Sequence, residues 1–202
     1  MKKFSLGIAL ILLLLSVSSK AYANSPTEAL ELTVNKLIAI ARNKAIDSKQ
    51  QKIELQSVIN LDVDFEAVSR RVVVKPWKKS SADQKLQFKK LFSNIVVNTY
   101  FSLLENYSDE EVVYVKEQLK GKKYAIVDTQ ILSDNKKVPV RYRMIKAGDT
   151  WKIYDFVPEG ISLVSSYKKN YASILKKQGM DGLLKEMIKK EQQRTKEHLA
   201  KE

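Results

Sequence analysis

The chain has no cysteine, and only one histidine in 202 residues. The first absence removes disulfides, a thiolate nucleophile and every cysteine-based metal site. The second removes Ser-His-Asp triads, Cys-His pairs and histidine-rich zinc sites, because the one imidazole, His198, stands in a charged stretch near the chain end. No arginine-rich stripe or nucleic-acid motif is present, there is no internal repeat, and no linker is long enough to separate domains. A nucleic-acid partner is therefore not expected, and neither is a metal or a cofactor.

What is present begins with an export signal. Lys2 and Lys3 precede an apolar run over 6–17, and Ala21-Tyr22-Ala23 puts small residues where a signal peptidase reads. The run is short for a membrane span, which needs about 20 apolar residues. The reading is a cleaved signal over 1–23 and one exported domain over 24–202, in the periplasm of a bacterium or outside the cell. Losing Lys2, Lys3 and Lys20 lowers the formal net charge from +13 to +10. A basic exported protein favours anionic partners: lipid head groups, acidic protein surfaces or polyanions.

Helical signals come first. Ser25-Pro26-Thr27-Glu28 is a capping box with proline in the first turn, followed by Leu30, Val34, Leu37, Ile38 and Ala41 at helical spacing. A helix is expected over 49–59. Another should run through Phe65, Val68 and Val72, capped by Asp62 or Asp64 and stopped by Pro76. Ser81 to Gln84 opens the longest, over 81–107, whose apolar residues spread over more than one face. The period then changes to two in runs around 113–119, 124–131, 138–144 and 151–154, punctuated by Gly121, Asp134-Asn135 and Gly148-Asp149. Helices over 161–177 and from Asp181 onward close the chain, with a charged tail over 190–202 expected to fray. The fold class is α+β: several N-terminal helices and one long helix on a curved four-stranded antiparallel sheet, two C-terminal helices, and an apolar pocket between helices and sheet.

Three constellations invite a functional reading. Asp155 shares a strand face with Trp151 and Ile153 by simple alternation, and with Glu159 it could form an acid–base pair. The plain alternative is that Asp155 bonds nearby backbone or an arginine and Glu159 begins a turn at Gly160, and with no further catalytic motif this alternative is preferred. The apolar excess is the second: the long helix plus Tyr142, Met144, Trp151, Tyr154, Phe156, Val157, Val164, Tyr167 and Tyr171. Each alone reads as ordinary core; the set reads as a cavity for acyl chains, where each buried methylene contributes about 0.8 kcal/mol. The third is lysine clusters, at Lys75, Lys78 and Lys79, at Lys120, Lys122 and Lys123, and at Lys168-Lys169, Lys176-Lys177 and Lys189-Lys190. They read first as solvated surface and second as attraction for anionic head groups or a docking partner.

The segment over 151–187, WKIYDFVPEGISLVSSYKKNYASILKKQGMDGLLKEM, resembles the C-terminal part of the MlaC, or toluene-tolerance, family of periplasmic phospholipid-binding proteins. Trp151, Tyr154, Asp155, Glu159, Gly160, Ser162, Gly179, Asp181, Gly182 and Leu183 match its pattern in order. Trp77, Ser80, Gln84, Phe88, Phe92, Tyr100 and Tyr107 resemble its middle segment. One departure stands out: the family often has a Leu-Gly turn before the aromatic that corresponds to Trp77, and this chain has Val73-Val74-Lys75-Pro76.

The resemblance implies a carrier and no enzyme. It implies a soluble periplasmic protein that holds a phospholipid and moves it between an outer-membrane lipoprotein complex and an inner-membrane ABC transporter with its substrate-binding ring, which maintains outer-membrane lipid asymmetry. The lining expected of its pocket is Phe92, Val96, Tyr100, Val115, Tyr142, Met144, Ile153, Phe156, Val157, Val164 and Tyr167. Two other classes remain: a chaperone for apolar segments of unfolded outer-membrane proteins, and an enzyme on a similar fold using Asp155.

Overall fold

The computed structural model describes residues 25–105, 110–133 and 136–199. The expected signal over 1–23, Tyr107, the Asp134-Asn135 turn and positions 200–202 lie outside the described residues.

Helix α1 (Pro26–Arg42) starts as its capping box requires. Ser25 Oγ accepts from Glu28 N at 3.1 Å, and Glu28 returns the bond to Ser25 N. Asp47 caps α2 (Ser48–Asp62), accepting from Gln50 N at 2.7 Å, and Asp64 caps α3 (Phe65–Val73), accepting from Ala67 N at 2.8 Å. Pro76 does not simply stop α3. It occupies the first turn of a further short helix, α4 (Lys75–Lys79), where its missing N–H is not needed. Between the two stands Val74 at φ 54°, ψ −108°, a backbone conformation suited to glycine. The departure from the family's Leu-Gly turn is thus built by valine taking a glycine-like shape.

Helix α5 (Ala82–Glu105) begins with reciprocal bonds between Ser81 and Gln84. Strands β1 (Glu111–Lys120), β2 (Tyr124–Ser133), β3 (Lys136–Ala147) and β4 (Thr150–Pro158) form the expected antiparallel meander in chain order. Helix α6 (Leu163–Leu199) is broken at Gly179 (φ 65°, ψ −159°), so two helical lengths meet there as expected. It continues helically past Lys190 to Leu199 where fraying was expected. The run is rich in Lys, Glu, Gln and Arg, which propagate a helix without an apolar stripe.

Two single-residue bulges set which side chains share a face. In β4, Ile153 pairs with Met144 and Asp155 with Arg143, leaving Tyr154 as the extra residue. In β1, Tyr114 pairs with Thr129 and Lys116 with Asp128, leaving Val115 over. Cross-strand partners lie on one face. The face toward α1 and α5 therefore carries Ala125, Val127 and Thr129 of β2, Val140, Tyr142 and Met144 of β3, and Ile153 and Phe156 of β4. Asp155 and Val157 point the other way. The alternation that put Asp155 beside Trp151 and Ile153 fails at the Tyr154 bulge, because one inserted residue exchanges the faces.

The interior divides into two apolar clusters. One is helical: Phe65, Val68, Val72, Trp77, Phe88, Leu91 and Phe92 packed against Leu163, Val164, Leu183, Leu184 and Met187 of α6. The other lies between α1 and the sheet: Ala29, Leu30 and Val34 on Ala125, Val127, Met144 and Trp151. Helices α3 and α6 reach the β4 edge, where Asp64 N donates to Ile153 O at 2.8 Å. No helix among the described residues is long and apolar enough to cross a membrane.

Candidate functional site

The two clusters meet at Phe156. Its ring centre lies 5.3 Å from Tyr100 of α5, edge to face, and 5.5 Å from Tyr142 of β3. Tyr100 packs against the helical cluster and Tyr142 against the sheet cluster, and all three rings are half-buried. Val96 and Ile153 flank them, also half-buried. This border is a seam between closed regions, with apolar walls from the long helix on one side and the inner sheet face on the other. Burial raises the Tyr100 phenol, and the neighbouring Tyr167 and Asp155 add to it. Burial likewise pushes the Tyr142 phenol well above its ordinary value, with Tyr114 contributing. Both hydroxyls stay neutral, so the seam offers apolar surface and uncharged donors.

The expected lining residues divide among four places. Phe92 and Val164 are enclosed in the helical cluster, with Tyr167 against them at 4.9 Å from the Phe92 ring. Met144 is enclosed in the sheet cluster. Val96, Tyr100, Tyr142, Ile153 and Phe156 come together at the seam. Val115 and Val157 do not: they line a hollow of about 370 Å³ on the opposite sheet face with Asp128, Pro139 and Arg141. Val115 is 56% exposed, because the β1 bulge turns it out of the inner row. Sequence reasoning missed the α1 wall, Leu30 and Val34, and it missed Val112 and Tyr114, which pack beside Tyr142. Their alternation was visible, but nothing in it said which helix covers them.

Asp155 is a structural carboxylate. It accepts from Val164 N at 3.0 Å, from Ser162 Oγ at 2.7 Å and from Arg143 Nη1 at 3.1 Å, with its side chain 1% exposed. These bonds tie the start of α6 to β3 and β4 and use the carboxylate's acceptor sites on folding. Glu159 (φ 48°) and Gly160 (φ 81°) form the turn that brings α6 back, closed by Ile161 N to Pro158 O at 2.8 Å. The structure has the arrangement preferred from the sequence: Asp155 bonds backbone and Arg143, and Glu159 begins the turn at Gly160. The clustered lysines are all exposed.

The family profile described as MlaC protein matches residues 31–189. The chain is 26% identical, over 93% of its length and 92% of the relative's, to the intermembrane phospholipid transport system binding protein MlaC of Haemophilus influenzae. It is 22% identical to a toluene tolerance protein of Pseudomonas putida, over 63% of this chain and 60% of that one. Its fold matches the solved structure of a phospholipid-binding protein from Ralstonia solanacearum in complex with a phospholipid, with a TM-score of 0.76, 20% identity, and coverage of 86% of this chain and 98% of the other.

Proposed function

The chain belongs to the MlaC family, and on that premise we propose that it is a soluble phospholipid carrier of the periplasm, exported by the signal over 1–23. The acyl chains enter the seam between α5 and the inner sheet face. The observation that carries this reading is the half-buried junction of Tyr100, Phe156 and Tyr142, an apolar contact between the two buried clusters that is less enclosed than either of them. Inserting a chain there gains about 0.8 kcal/mol per methylene buried, which needs no specific polar contact. The Haemophilus relative's name speaks of transport between membranes. The matching role here is shuttling lipid between an outer-membrane lipoprotein complex and an inner-membrane ABC transporter with its substrate-binding ring, in support of outer-membrane lipid asymmetry. In this reading the carrier performs no chemistry, and Asp155 serves to cap α6.

Native mass spectrometry of residues 24–202, purified without detergent, tests the proposal together with solvent extraction of anything bound. A stoichiometric adduct of phospholipid mass is expected. A clean unliganded mass with no lipid in the extract overturns it in favour of a chaperone for apolar segments.

A further inference from the structure

We infer that the hairpin end of the sheet is a docking site for an acidic segment of polypeptide that presents one apolar side chain; this goes beyond the carrier reading and does not rest on it. The β1–β2 and β3–β4 turns lie side by side there, since Lys146 N donates to Lys123 O at 2.9 Å. Register puts Leu119, Lys146 and Trp151 on the inner face: Leu119 pairs with Ala125 and Ala125 with Met144, and Lys146, two places beyond Met144, pairs with Trp151. Helix α1 packs on the middle of that face and begins only at Pro26. What is left between its start and the turns is a hollow of about 460 Å³. It is lined by Ser25 and Pro26 of the helix start and by Leu119, Lys122, Lys146 and Trp151 of the sheet. Trp151 is buried, whereas Leu119, on the edge strand, is 60% exposed.

Charge selects the partner. Residues 117–123 and 146–152 hold five lysines against two carboxylates, Glu117 and Asp149. Glu117 is engaged at the start of α1, where its Oε2 accepts from Thr27 N at 2.9 Å and from Thr27 Oγ1 at 2.6 Å. Glu28 nearby accepts from Ser25 N in the capping box. Among the described residues, no ion pair takes any of the five lysines. Residues 1–24, which lead into the hollow, contain no Asp or Glu. Glu111, at the acidic start of β1, is nine residues up the strand from Lys120, about 30 Å away. The end is a positive field around an apolar hollow, which complements an acidic chain with a hydrophobic anchor. An anionic bilayer fits less well. It is flat, whereas the hollow is concave and has the Glu117 carboxylate in its lining. Leu119 is the one large apolar side chain exposed in these two stretches, too little to enter a membrane. A second copy is itself strongly basic. The Lys146–Trp151 pair stands four residues along β3 from the Tyr142–Phe156 pair, about 13 Å, so a segment docked here leaves the seam's rings uncovered.

The test titrates residues 24–202 into a short dye-labelled peptide of glutamates and serines around one phenylalanine, and reads fluorescence anisotropy. The wild type should bind it. Affinity should fall about ten-fold in Lys122→Glu/Lys146→Glu and by a smaller factor in Lys122→Gln/Lys146→Gln. The control Lys75→Glu/Lys79→Glu makes the same charge change on α4 and should keep the wild-type affinity. Leu119→Ser should weaken binding, as should serine in place of the peptide's phenylalanine, and the two together should cost little more than either alone, because both remove one contact. Lys122, Lys146 and Leu119 have exposed side chains, and circular dichroism verifies the fold. A wild type that ignores the peptide overturns the inference. So does an equal loss in the control, which would assign binding to net charge, and so do fully additive losses from the two apolar changes, which would leave the hollow empty. Pelleting with phosphatidylglycerol vesicles, without peptide binding and abolished by Lys122→Glu/Lys146→Glu, would make the site a membrane contact instead. Lipid extracted from Lys122→Glu/Lys146→Glu should equal that of the wild type. A wild type that binds the peptide but carries no lipid would defeat the carrier reading alone.

Discussion

Two aromatic regions on the same helix have opposite fates. Early in α5, Phe88 and Phe92 stack at 5.5 Å and are fully buried, boxed in by Trp77, Phe65, Tyr167 and Tyr171. Two turns later, Tyr100 meets Phe156 and the edge of the helical cluster, and stays half-buried. The residue types are nearly the same. What differs is what the fold brings opposite: α3, α4 and α6 close over the first region, whereas the second faces a sheet whose inner row is covered at its other end by α1. The first region holds the protein together, and the second is where the proposed function places the lipid.

The largest effect that would break this comparison is in the closed region. Phe92→Ala should cost about 3–5 kcal/mol, read by chemical denaturation, because a fully buried ring leaves a cavity that its neighbours cannot fill. If it costs under about 1 kcal/mol, the helical cluster is not the stabilising centre. Next is Asp155→Ala, expected to cost about 2–4 kcal/mol, since it strands the Arg143 guanidinium and leaves Val164 N and Ser162 Oγ without their acceptor. Lipid per folded chain should be unchanged in this variant; a selective loss of lipid would mean the carboxylate touches the ligand.

The elements were legible where local chemistry sets them. Capping residues at Ser25, Asp64 and Ser81 and the turns at Gly121 and Gly148 gave helix starts and the meander directly. The faces were not legible. In TWKIYDFVP every second position from either start is largely apolar or aromatic, so the extra residue at Tyr154 leaves no mark on the pattern, yet it decides that Phe156 faces in and Asp155 out. The same applies to Val115 in β1. Helix α4 was hidden because proline is both a helix stop and a favoured first-turn residue. Of the expected lining, composition supplied only a class of side chain, apolar and aromatic. It had no means to separate Phe92 from Tyr100, because the difference lies in long-range partners.

Sharper tests of the seam are smaller in energy. Val96→Trp should fill it from the α5 side at a cost of about 1–3 kcal/mol and remove most of the bound lipid while the fold persists, as judged by circular dichroism and extraction. Met144 is the poorer site for such a probe, being sealed in the sheet cluster, where tryptophan would disturb the core itself. Alkali offers a second handle. Tyr100, Tyr142 and Tyr171 have phenols raised by burial, so the folded state holds their protons more tightly than the unfolded chain does. The stability they contribute is complete below about pH 10, the unfolded value, and is lost as pH rises toward the folded values. The slope reaches about 1.4 kcal/mol per pH unit for each phenol. Denaturation curves at pH 9, 10 and 11 should show it, and Tyr142→Phe should remove one phenol's share. A curve flat to pH 11 would mean that these rings are freely hydrated.

The smallest expected effect lies outside both regions and tests whether they are independent. Val74 holds φ 54°, ψ −108° between α3 and α4, where a β-branched side chain is disfavoured, and it is 41% exposed. Strain of this kind costs on the order of 1–3 kcal/mol. Glycine would relieve it, but glycine also gives the unfolded chain more freedom to lose, worth about 1 kcal/mol the other way. Val74→Gly should therefore raise stability by at most about 2 kcal/mol, measured as a small upward shift in the denaturation midpoint. Its neighbours Val73 and Trp77 are packed in the helical cluster, and the seam lies at the far half of α5. Lipid content should accordingly stay the same. If the variant instead changes how much lipid the protein carries, the strained turn is coupled to the seam through the closed cluster, and the division between the region that holds the fold and the region that holds the ligand would have to be given up.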